Sequence, residues 1–172
     1  MIYSMEEIEI KIIDINPTEI IKKLEQLGAH KVFDGQMNSI YYDYQDEFKK
    51  KKKTLRLRQK GDDCILTFKI KKDDADAKVH EELETSVGDF ETAREIFRGL
   101  GFQEVSVGMR RRISYKIKNS LVEIDFYPDI PPSLEVESPS KEELQQIVEV
   151  LGYSMEQTKR WSGKKLMDYY KK

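Results

Sequence analysis

Apolar and charged residues alternate along several short segments of the chain, and this pattern limits the folds open to it. The alternation occurs in residues 7–12, 55–58, 67–70 and 135–137. Side chains two positions apart in a strand share a face, so each segment predicts a strand with one apolar face and one charged face. Matching segments occur at residues 41–44, 81–85, 110–117 and 121–127. The pattern therefore predicts roughly eight amphipathic strands.

Three predicted helices separate these strands in a repeated unit. The unit runs from an E-x-E strand through a helix to a Leu-Gly pair and a return strand. Asn16, Asp89 and Ser140 are predicted to cap the three helices, and apolar residues follow each cap at helical spacing. Each amphipathic helix is expected to cover the apolar face of a sheet. The E-x-E pairs are Glu7/Glu9, Glu82/Glu84 and Glu135/Glu137, and the Leu-Gly pairs lie at residues 27–28, 100–101 and 151–152.

These elements predict an α+β protein in which hairpin connections, such as residues 60–63, join antiparallel strands. If the helices pack on the apolar face, the charged face lies toward water or lines a cavity. About eight strands suffice to close a barrel. A closed, roughly eight-stranded antiparallel β-barrel, or tunnel, with the amphipathic helices packed outside is thus one arrangement that fits the pattern, and a sheet with a solvated face is the other. Residues 1–172 are predicted to form a single domain.

Composition excludes several classes of function. The 30 Lys and Arg residues nearly balance the 32 Asp and Glu residues, which argues against nonspecific nucleic-acid binding. Two histidines and one cysteine give little support to a zinc site or a Ser-His-Asp triad, and no P-loop motif occurs. Residues 49–53 are all lysines and predict a solvated hairpin loop. Because the chain has no signal-peptide pattern and no long apolar run, we expect a cytoplasmic location and no membrane partner.

The charged faces are sorted by sign, which is unusual for a surface that simply meets water. For a single strand, a solvated face is the simpler interpretation, because half-solvated antiparallel sheets are common. Here the carboxylates lie in E-x-E pairs and the cations in R-x-R pairs. Carboxylates at i and i+2 lie about 7 Å apart, so two facing E-x-E strands would crowd four negative charges together. Mg²⁺ or Mn²⁺ would offset this charge, because both ions prefer oxygen ligands.

The charged positions supply candidates for both a metal site and a phosphate site. Glu123 shares the face of Asp125 but ranks below it as a metal ligand. The arginine fork suits bidentate phosphate contacts, and six cations are more than a single phosphate would need. A triphosphate that carries two divalent ions would match the nearly neutral lining. The candidate metal ligands are Glu7, Glu9, Asp125, Glu135 and Glu137, and the candidate phosphate-binding residues are Lys11, Arg56, Arg58, Lys69, Arg110 and Arg112.

The ordered set of motifs resembles the CYTH superfamily, also called triphosphate tunnel metalloenzymes, over nearly the whole chain. The resemblance implies an eight-stranded barrel that holds Mg²⁺ or Mn²⁺ and a triphosphate, with the ligand and phosphate-binding residues given above. It adds Lys165 as a phosphate-binding residue and Glu82 and Glu84 as additional lining. Lys11 and Tyr41 are the candidate catalytic residues. The motifs are E-x-E-x-K at residues 7–11, Y-Y-D at 41–43, L-R-L-R at 55–58, T-F-K at 67–69, R-R-R at 110–112, E-I-D at 123–125 and E-V-E at 135–137.

The resemblance predicts a metal-dependent triphosphatase that hydrolyses inorganic tripolyphosphate or an organic triphosphate. Two alternatives stay open: a class IV-type adenylyl cyclase that makes cyclic AMP from ATP, and a triphosphate-binding module without activity. The motif of the cyclase branch looks like a His-Phe pair, then four residues, then E-x-E-x-K. This chain has Met1 and Ile2 where the His-Phe pair would lie. That departure favours hydrolysis. The expected partner is a small-molecule triphosphate, and the expected assembly is a monomer or homodimer.

Overall fold

The computed structural model describes residues 8–71 and 80–171. None of the helices in these two ranges combines the length and the apolar character that crossing a bilayer requires. A short 3₁₀ turn, Met155–Gln157, lies between the last two helices. In chain order the other elements are β1 (Ile8–Ile12), α1 (Pro17–Gln26), β2 (His30–Asp43), α2 (Glu47–Lys50), β3 (Lys53–Lys60), β4 (Asp63–Lys71), β5 (His80–Ser86), α3 (Phe90–Gly99), β6 (Gln103–Ile117), β7 (Ser120–Phe126), β8 (Ser133–Ser138), α4 (Lys141–Val150) and α5 (Gly163–Tyr170).

The eight described strands form one antiparallel sheet in the order β1-β8-β7-β6-β2-β3-β4-β5. The α+β class and the antiparallel sheet predicted from the sequence are therefore confirmed. Within the described ranges, β1 and β5 are the two edge strands of this sheet, and they are not hydrogen-bonded to each other. Closure of the sheet into a barrel stays a prediction.

The chain divides into two compact units, and strands β2 and β6 contribute to both. Among the described residues, unit 1 comprises residues 36–71 and 80–109, and unit 2 comprises residues 8–35 and 110–171. Each unit has its own hydrophobic core. The prediction of a single domain over residues 1–172 stays a prediction.

In unit 2 the helices α1 and α4 pack on the apolar face of the sheet. The alternating isoleucines and valines of the strands point toward these helices, as the sequence predicted, and burial of such side chains drives their packing. The core includes Ile10, Ile12, Ile20, Leu24, Ile113, Val122, Ile124, Leu134, Val136, Leu144, Ile147 and Val148, each at most 4% exposed.

In unit 1 the helix α3 covers the corresponding apolar face. Phe90 and Ala93 of α3 pack against Ile40 and Leu57 of the strands. Aromatic rings extend this core. The ring centroids of Tyr42 and Phe97 lie 4.8 Å apart. The apolar and charged faces of the strands are therefore separated in both units.

The predicted helix ends are confirmed. Asn16, Asp89 and Ser140 accept hydrogen bonds from backbone N–H groups of the first helical turn. Gly28 and Gly101 have φ angles of 74° and 85°, the left-handed conformation that ends a helix at low cost for glycine. These signals predict local structure well because they act within a single helical turn.

One local prediction is wrong, and another is confirmed only in part. The third repeat lacks its return strand, because Ser154 and Gln157 exchange hydrogen bonds that stabilise a 3₁₀ turn after α4. The lysine run is only partly a loop, since residues 49–50 belong to α2. Asp43 accepts the backbone N–H groups of Phe48 and Lys49 at 3.0 and 3.1 Å, which favours this helical turn. Lys51 is solvated as expected and pairs with Glu47 at 2.6 Å.

Candidate active site

Strand register in unit 2 brings residues of both charges into one row. Lys11 of β1 lies opposite Glu135 of β8, and Glu135 lies opposite Glu123 of β7. In the next row Arg112 of β6 lies opposite Asp125. Directly opposite side chains in antiparallel strands share a face. The charged positions of β1, β8, β7 and β6 therefore meet on one side of the sheet, opposite the core of unit 2.

Lys11 is buried within this charged face, at 4% exposure. Its ammonium donates to Oε1 of Glu9 at 2.8 Å and to Oε2 of Glu135. Burial disfavours the ammonium form, but the Glu135 and Glu9 carboxylates outweigh burial and raise the pKa of Lys11. Lys11 is therefore a fixed positive charge at neutral pH.

Arg112 is the centre of a buried hydrogen-bond network. Its Nε and Nη2 atoms donate to the two Asp125 oxygens at 2.6 and 2.7 Å, a bidentate arrangement. Nη1 donates to Glu123, and Nη2 also lies 3.5 Å from a Glu135 oxygen. Burial would lower the pKa of Arg112, but the carboxylates hold it well above its usual value.

Asp125 is held ionised by two arginines. Arg110 donates from Nε at 2.9 Å to Oδ1 of Asp125, the oxygen that also accepts from Nε of Arg112. The Arg110 guanidinium lies 5.6 Å from the Tyr127 ring centroid. Burial alone would raise the pKa of Asp125, but Arg112 and then Arg110 lower it. Burial raises the pKa of Tyr127, so its hydroxyl stays protonated.

Three carboxylates on β7 and β8 have the spacing that a metal ion requires. One oxygen each of Glu123, Glu135 and Glu137 lies within 4.8 Å of the other two. The Ser114 hydroxyl donates at 2.9 Å to Oε1 of Glu123, and Arg112 donates to Oε2, so both groups orient Glu123. An all-carboxylate donor set fits a hard divalent cation such as Mg²⁺ or Mn²⁺. Sequence reasoning ranked Glu123 below Asp125, whereas the structure groups Glu123 with the other carboxylates and Asp125 with the arginines.

Charges of both signs lie on this face of unit 2. Burying a charged group is costly unless it is paired. Lys11, Arg112 and Asp125 are buried and paired here with groups of opposite charge. The carboxylates include Glu9, Glu123, Asp125, Glu135 and Glu137, and the cations include Lys11, Arg110 and Arg112.

In unit 1 the predicted cations contact hydroxyl groups. Arg56 donates from Nη2 to the Thr67 hydroxyl at 3.1 Å, and that hydroxyl donates to Glu84 at 3.1 Å. The Nε atom of Arg56 is buried and has no hydrogen-bond partner among the described residues. Arg58 donates from Nε to the Ser39 hydroxyl at 3.2 Å. An anion would supply the acceptor that Arg56 Nε lacks.

The remaining predicted residues of unit 1 lie on the same strands. Tyr41 is half-buried and lies opposite Arg56 in the register of β2 and β3. Lys69 is half-buried on β4, opposite Thr54 of β3. The structure thus aligns these residues along one face of unit 1.

Three predicted residues lack a described contact with these groups. Glu7 and the side chain of Glu82 lie outside the described part of the chain. Lys165 is exposed on α5, where its ammonium lies 5.6 Å from the Trp161 ring centroid. The roles assigned to all candidate residues stay predictions.

Sequence reasoning missed Lys159, which lies beside β1. The backbone groups of Lys11 and Lys159 exchange two hydrogen bonds, at 2.8 and 2.7 Å. Because residues opposite each other in an antiparallel bridge share a face, Lys159 belongs to the charged face of unit 2. Residues 158–162 lack the alternation that predicts a strand, so the sequence carried no signal for this pairing.

The sequence and fold of the chain were compared with those of known proteins. The chain matches the CYTH domain over residues 5–162. A Methanocaldococcus jannaschii protein named "Putative adenylate cyclase MJ0240" is 31% identical over 134 residues, which are 77% of each chain. The PH1012 protein from Pyrococcus horikoshii OT3 is 27% identical, with a TM-score of 0.74 over 91% of this chain and 96% of that one. The Hippeastrum protein HpAC1, described as having a dominant triphosphatase activity, shares the fold at 15% identity, with a TM-score of 0.66 over 95% of each chain.

Proposed function

The chain belongs to the CYTH domain family, and on that premise we propose that it hydrolyses a triphosphate with the help of a divalent metal ion. The observation that carries the proposal is the buried charged network of unit 2. Lys11 and Arg112 are both at most 5% exposed and contact four carboxylates between them. So many buried charges are costly for folding, which supports a functional reason for keeping them.

Glu123, Glu135 and Glu137 are the proposed metal ligands, with Glu9 and Glu7 as further acidic residues of the same strand motif. Their oxygen donors suit Mg²⁺ or Mn²⁺. When bound, such an ion stabilises the charge of phosphate oxygens and lowers the pKa of a coordinated water. Asp125 is assigned a different role, because it pairs with two arginines, Arg112 and Arg110, and the grouped carboxylates are Glu123, Glu135 and Glu137.

The cations of unit 2 divide into a positioning residue and phosphate-binding residues. Arg112 directs its fork at three carboxylates, so we assign it to positioning them. Arg110 contacts Asp125 through Nε, and its guanidinium also lies over the Tyr127 ring. Arg110 and Lys11 are therefore the proposed phosphate contacts here, and Lys159 joins them through its pairing with Lys11. Arg56, Arg58 and Lys69 are the proposed phosphate contacts of unit 1.

Lys11 is proposed to act as a cation and not as a base. Its raised pKa keeps the ammonium protonated at neutral pH, so it cannot accept a proton from water. An ammonium stabilises the negative charge that develops as the terminal phosphoanhydride bond breaks. Tyr41, opposite Arg56 in the strand register, is the candidate for positioning the attacking water.

The closed tunnel belongs to this proposal as well. Eight antiparallel strands in one sheet support it, because that number suffices for closure. A solved structure with tripolyphosphate bound would test whether the sheet closes around the substrate.

An adenylyl cyclase is the second candidate, favoured by the name of the M. jannaschii relative. Product analysis separates the two activities: the protein is incubated with Mg²⁺ or Mn²⁺ and tripolyphosphate, ATP or thiamine triphosphate. The proposal predicts orthophosphate, whereas cyclic AMP and pyrophosphate from ATP would support the cyclase. If metal and tripolyphosphate raise the melting temperature without any product, the chain is a binding module.

A further inference from the structure

A buried serine on β6 lies beside the carboxylate trio of unit 2, which comprises Glu123, Glu135 and Glu137. Ser114 is 0% exposed, and the strand register places it directly opposite Glu123 of β7. Its hydroxyl donates to Oε1 of Glu123 at 2.9 Å. Because directly opposite residues share a face, Ser114 belongs to the charged face of unit 2. The serine therefore contacts one of the proposed metal ligands.

The Glu123 carboxylate is held at both of its oxygens. Oε1 accepts from Ser114, and Oε2 accepts from Nη1 of Arg112. The last torsion of a glutamate side chain is broad, so a carboxylate with a single contact can turn about it. Two donors, one on each oxygen, fix this torsion. A carboxylate offers about four acceptor positions, so both contacts are compatible with a bond from Glu123 to a metal ion.

The fold itself does not require the Ser114 hydroxyl. Backbone pairing already joins β6 and β7 on both sides of this position, from Arg111 opposite Phe126 to Ile117 opposite Ser120. Burying a hydroxyl is costly unless the hydroxyl is hydrogen-bonded, and alanine would fill a similar volume without that cost. Strand pairing therefore gives no reason for a serine here, whereas the contact with Glu123 does.

A second buried serine of unit 2 has a structural task instead. Ser120 is 1% exposed and donates at 2.6 Å to Oε1 of Glu143, which also accepts the backbone N–H of Asn119 at 3.0 Å. These contacts tie the turn between β6 and β7 to helix α4. Ser114 and Ser120 thus make the same kind of hydrogen bond, but only that of Ser114 acts on a carboxylate of the trio.

We propose that Ser114 is a positioning residue of the metal site, which acts on a divalent ion through Glu123 by fixing the orientation of that carboxylate. The inference rests on the proposed function and deepens it by adding a residue that sets the affinity for the ion. A ligand that is already oriented loses less freedom when the ion binds. Hydrogen-bond partners of metal ligands change metal affinity by about 10- to 100-fold.

Mn²⁺ titration followed by electron paramagnetic resonance tests the proposal without any turnover, because the signal of hydrated Mn²⁺ falls as the ion binds. Ser114→Ala is expected to raise the Kd for Mn²⁺ at least about 10-fold. Ser120→Ala is the matched control, since it also removes a buried hydroxyl that donates to a glutamate, and it should keep the wild-type Kd. An unchanged Kd in Ser114→Ala would overturn the inference and leave the proposed metal site intact.

A double substitution separates positioning of Glu123 from a general loss of packing. If Ser114 acts through Glu123, Ser114→Ala should change the Kd by less than about 2-fold in the Glu123→Gln background. The same loss of affinity in both backgrounds would overturn the proposal, because the serine would then act by another route.

Ser114→Cys provides a second measurement if the alanine variant is unstable. It is close to serine in size but is a weaker donor, so its Kd is expected to rise as well. Melting temperatures without metal show which variants are folded. No Mn²⁺ binding by the wild type would contradict the proposed function and remove the inference with it.

Discussion

The charged faces of the two units balance their cations in different ways. In unit 2, Lys11 and Arg112 are buried and contact carboxylates. In unit 1, Arg56 and Arg58 contact the hydroxyl groups of Thr67 and Ser39. Carboxylate oxygens suit a divalent cation, and arginine N–H groups suit an anion. The comparison therefore supports the proposed metal ligands of unit 2 and the proposed phosphate contacts of unit 1.

The largest expected effect is that of Glu135→Gln on turnover. Glu135 belongs to the carboxylate trio and also contacts Lys11, so one substitution weakens both metal binding and the ion pair. Orthophosphate release with Mg²⁺ or Mn²⁺ is expected to fall by about 10³-fold, which is the scale for losing a major electrostatic contact. Glu142→Gln on the exposed face of α4 is the control and should keep full activity. Retained activity in Glu135→Gln would remove this residue from the site.

Stability should separate the two arginine environments. Arg112→Ala leaves buried carboxylates without their partner and is expected to lower the free energy of unfolding by about 3–5 kcal/mol. Arg56→Ala removes a hydrogen bond to a hydroxyl and should cost about 0.5–1.5 kcal/mol. Urea denaturation of the two variants measures both values. Equal costs would mean that the two faces do not differ as described.

Phosphate binding should depend on the arginines of unit 1 and not on its lysine run. Arg58→Ala is expected to weaken tripolyphosphate binding by about 1.5–3 kcal/mol, the range for a hydrogen bond to a charged group. Lys51 is exposed and already pairs with Glu47, so Lys51→Ala should change binding by at most about 0.5 kcal/mol. Calorimetric titration compares the two variants. A larger loss in Lys51→Ala would move the anion site to the lysine run.

The smallest effect concerns acid stability in unit 1, where a buried carboxylate is held by amides. Burial would raise the pKa of Asp43, but the Phe48 and Lys49 N–H groups lower it below its usual value of 3.8. A lowered folded pKa means that the stabilisation is fully present above this value and is lost as the pH falls through the folded pKa. Asp43→Asn should therefore destabilise the protein more at pH 7 than at strongly acidic pH. Denaturation curves that show an equal loss at both pH values would contradict this.

Local signals in the sequence predicted the helices well, and strand alternation predicted which face is apolar. Asn16 and Gly28 act on groups within one helical turn, so neither depends on the rest of the fold. The sheet order could not be predicted in the same way, because it depends on contacts between distant segments. Closure into a barrel was predicted from the family resemblance and from strand number, and strand number by itself does not determine closure.

The candidate site was predicted less completely than the fold. The sequence identified which positions are charged, but the partner of each charge depends on strand register. Glu123 lies opposite Glu135 because of the pairing of β7 with β8, and this pairing was not specified by the E-x-E pattern. Lys159 lies beside Lys11 through an isolated bridge in a segment without strand alternation. Burial of Arg112 is likewise a property of the folded network.

The central claim is that Glu123, Glu135 and Glu137 hold a divalent ion needed for triphosphate hydrolysis. Its most direct test is the Mn²⁺ dependence of orthophosphate release from tripolyphosphate in the wild type and in Glu123→Gln. We expect the Mn²⁺ concentration for half-maximal activity to rise at least about 10-fold in Glu123→Gln, and chelation of the metal to abolish activity in both proteins. Activity that persists without metal, or the same Mn²⁺ dependence in both proteins, would contradict the claim.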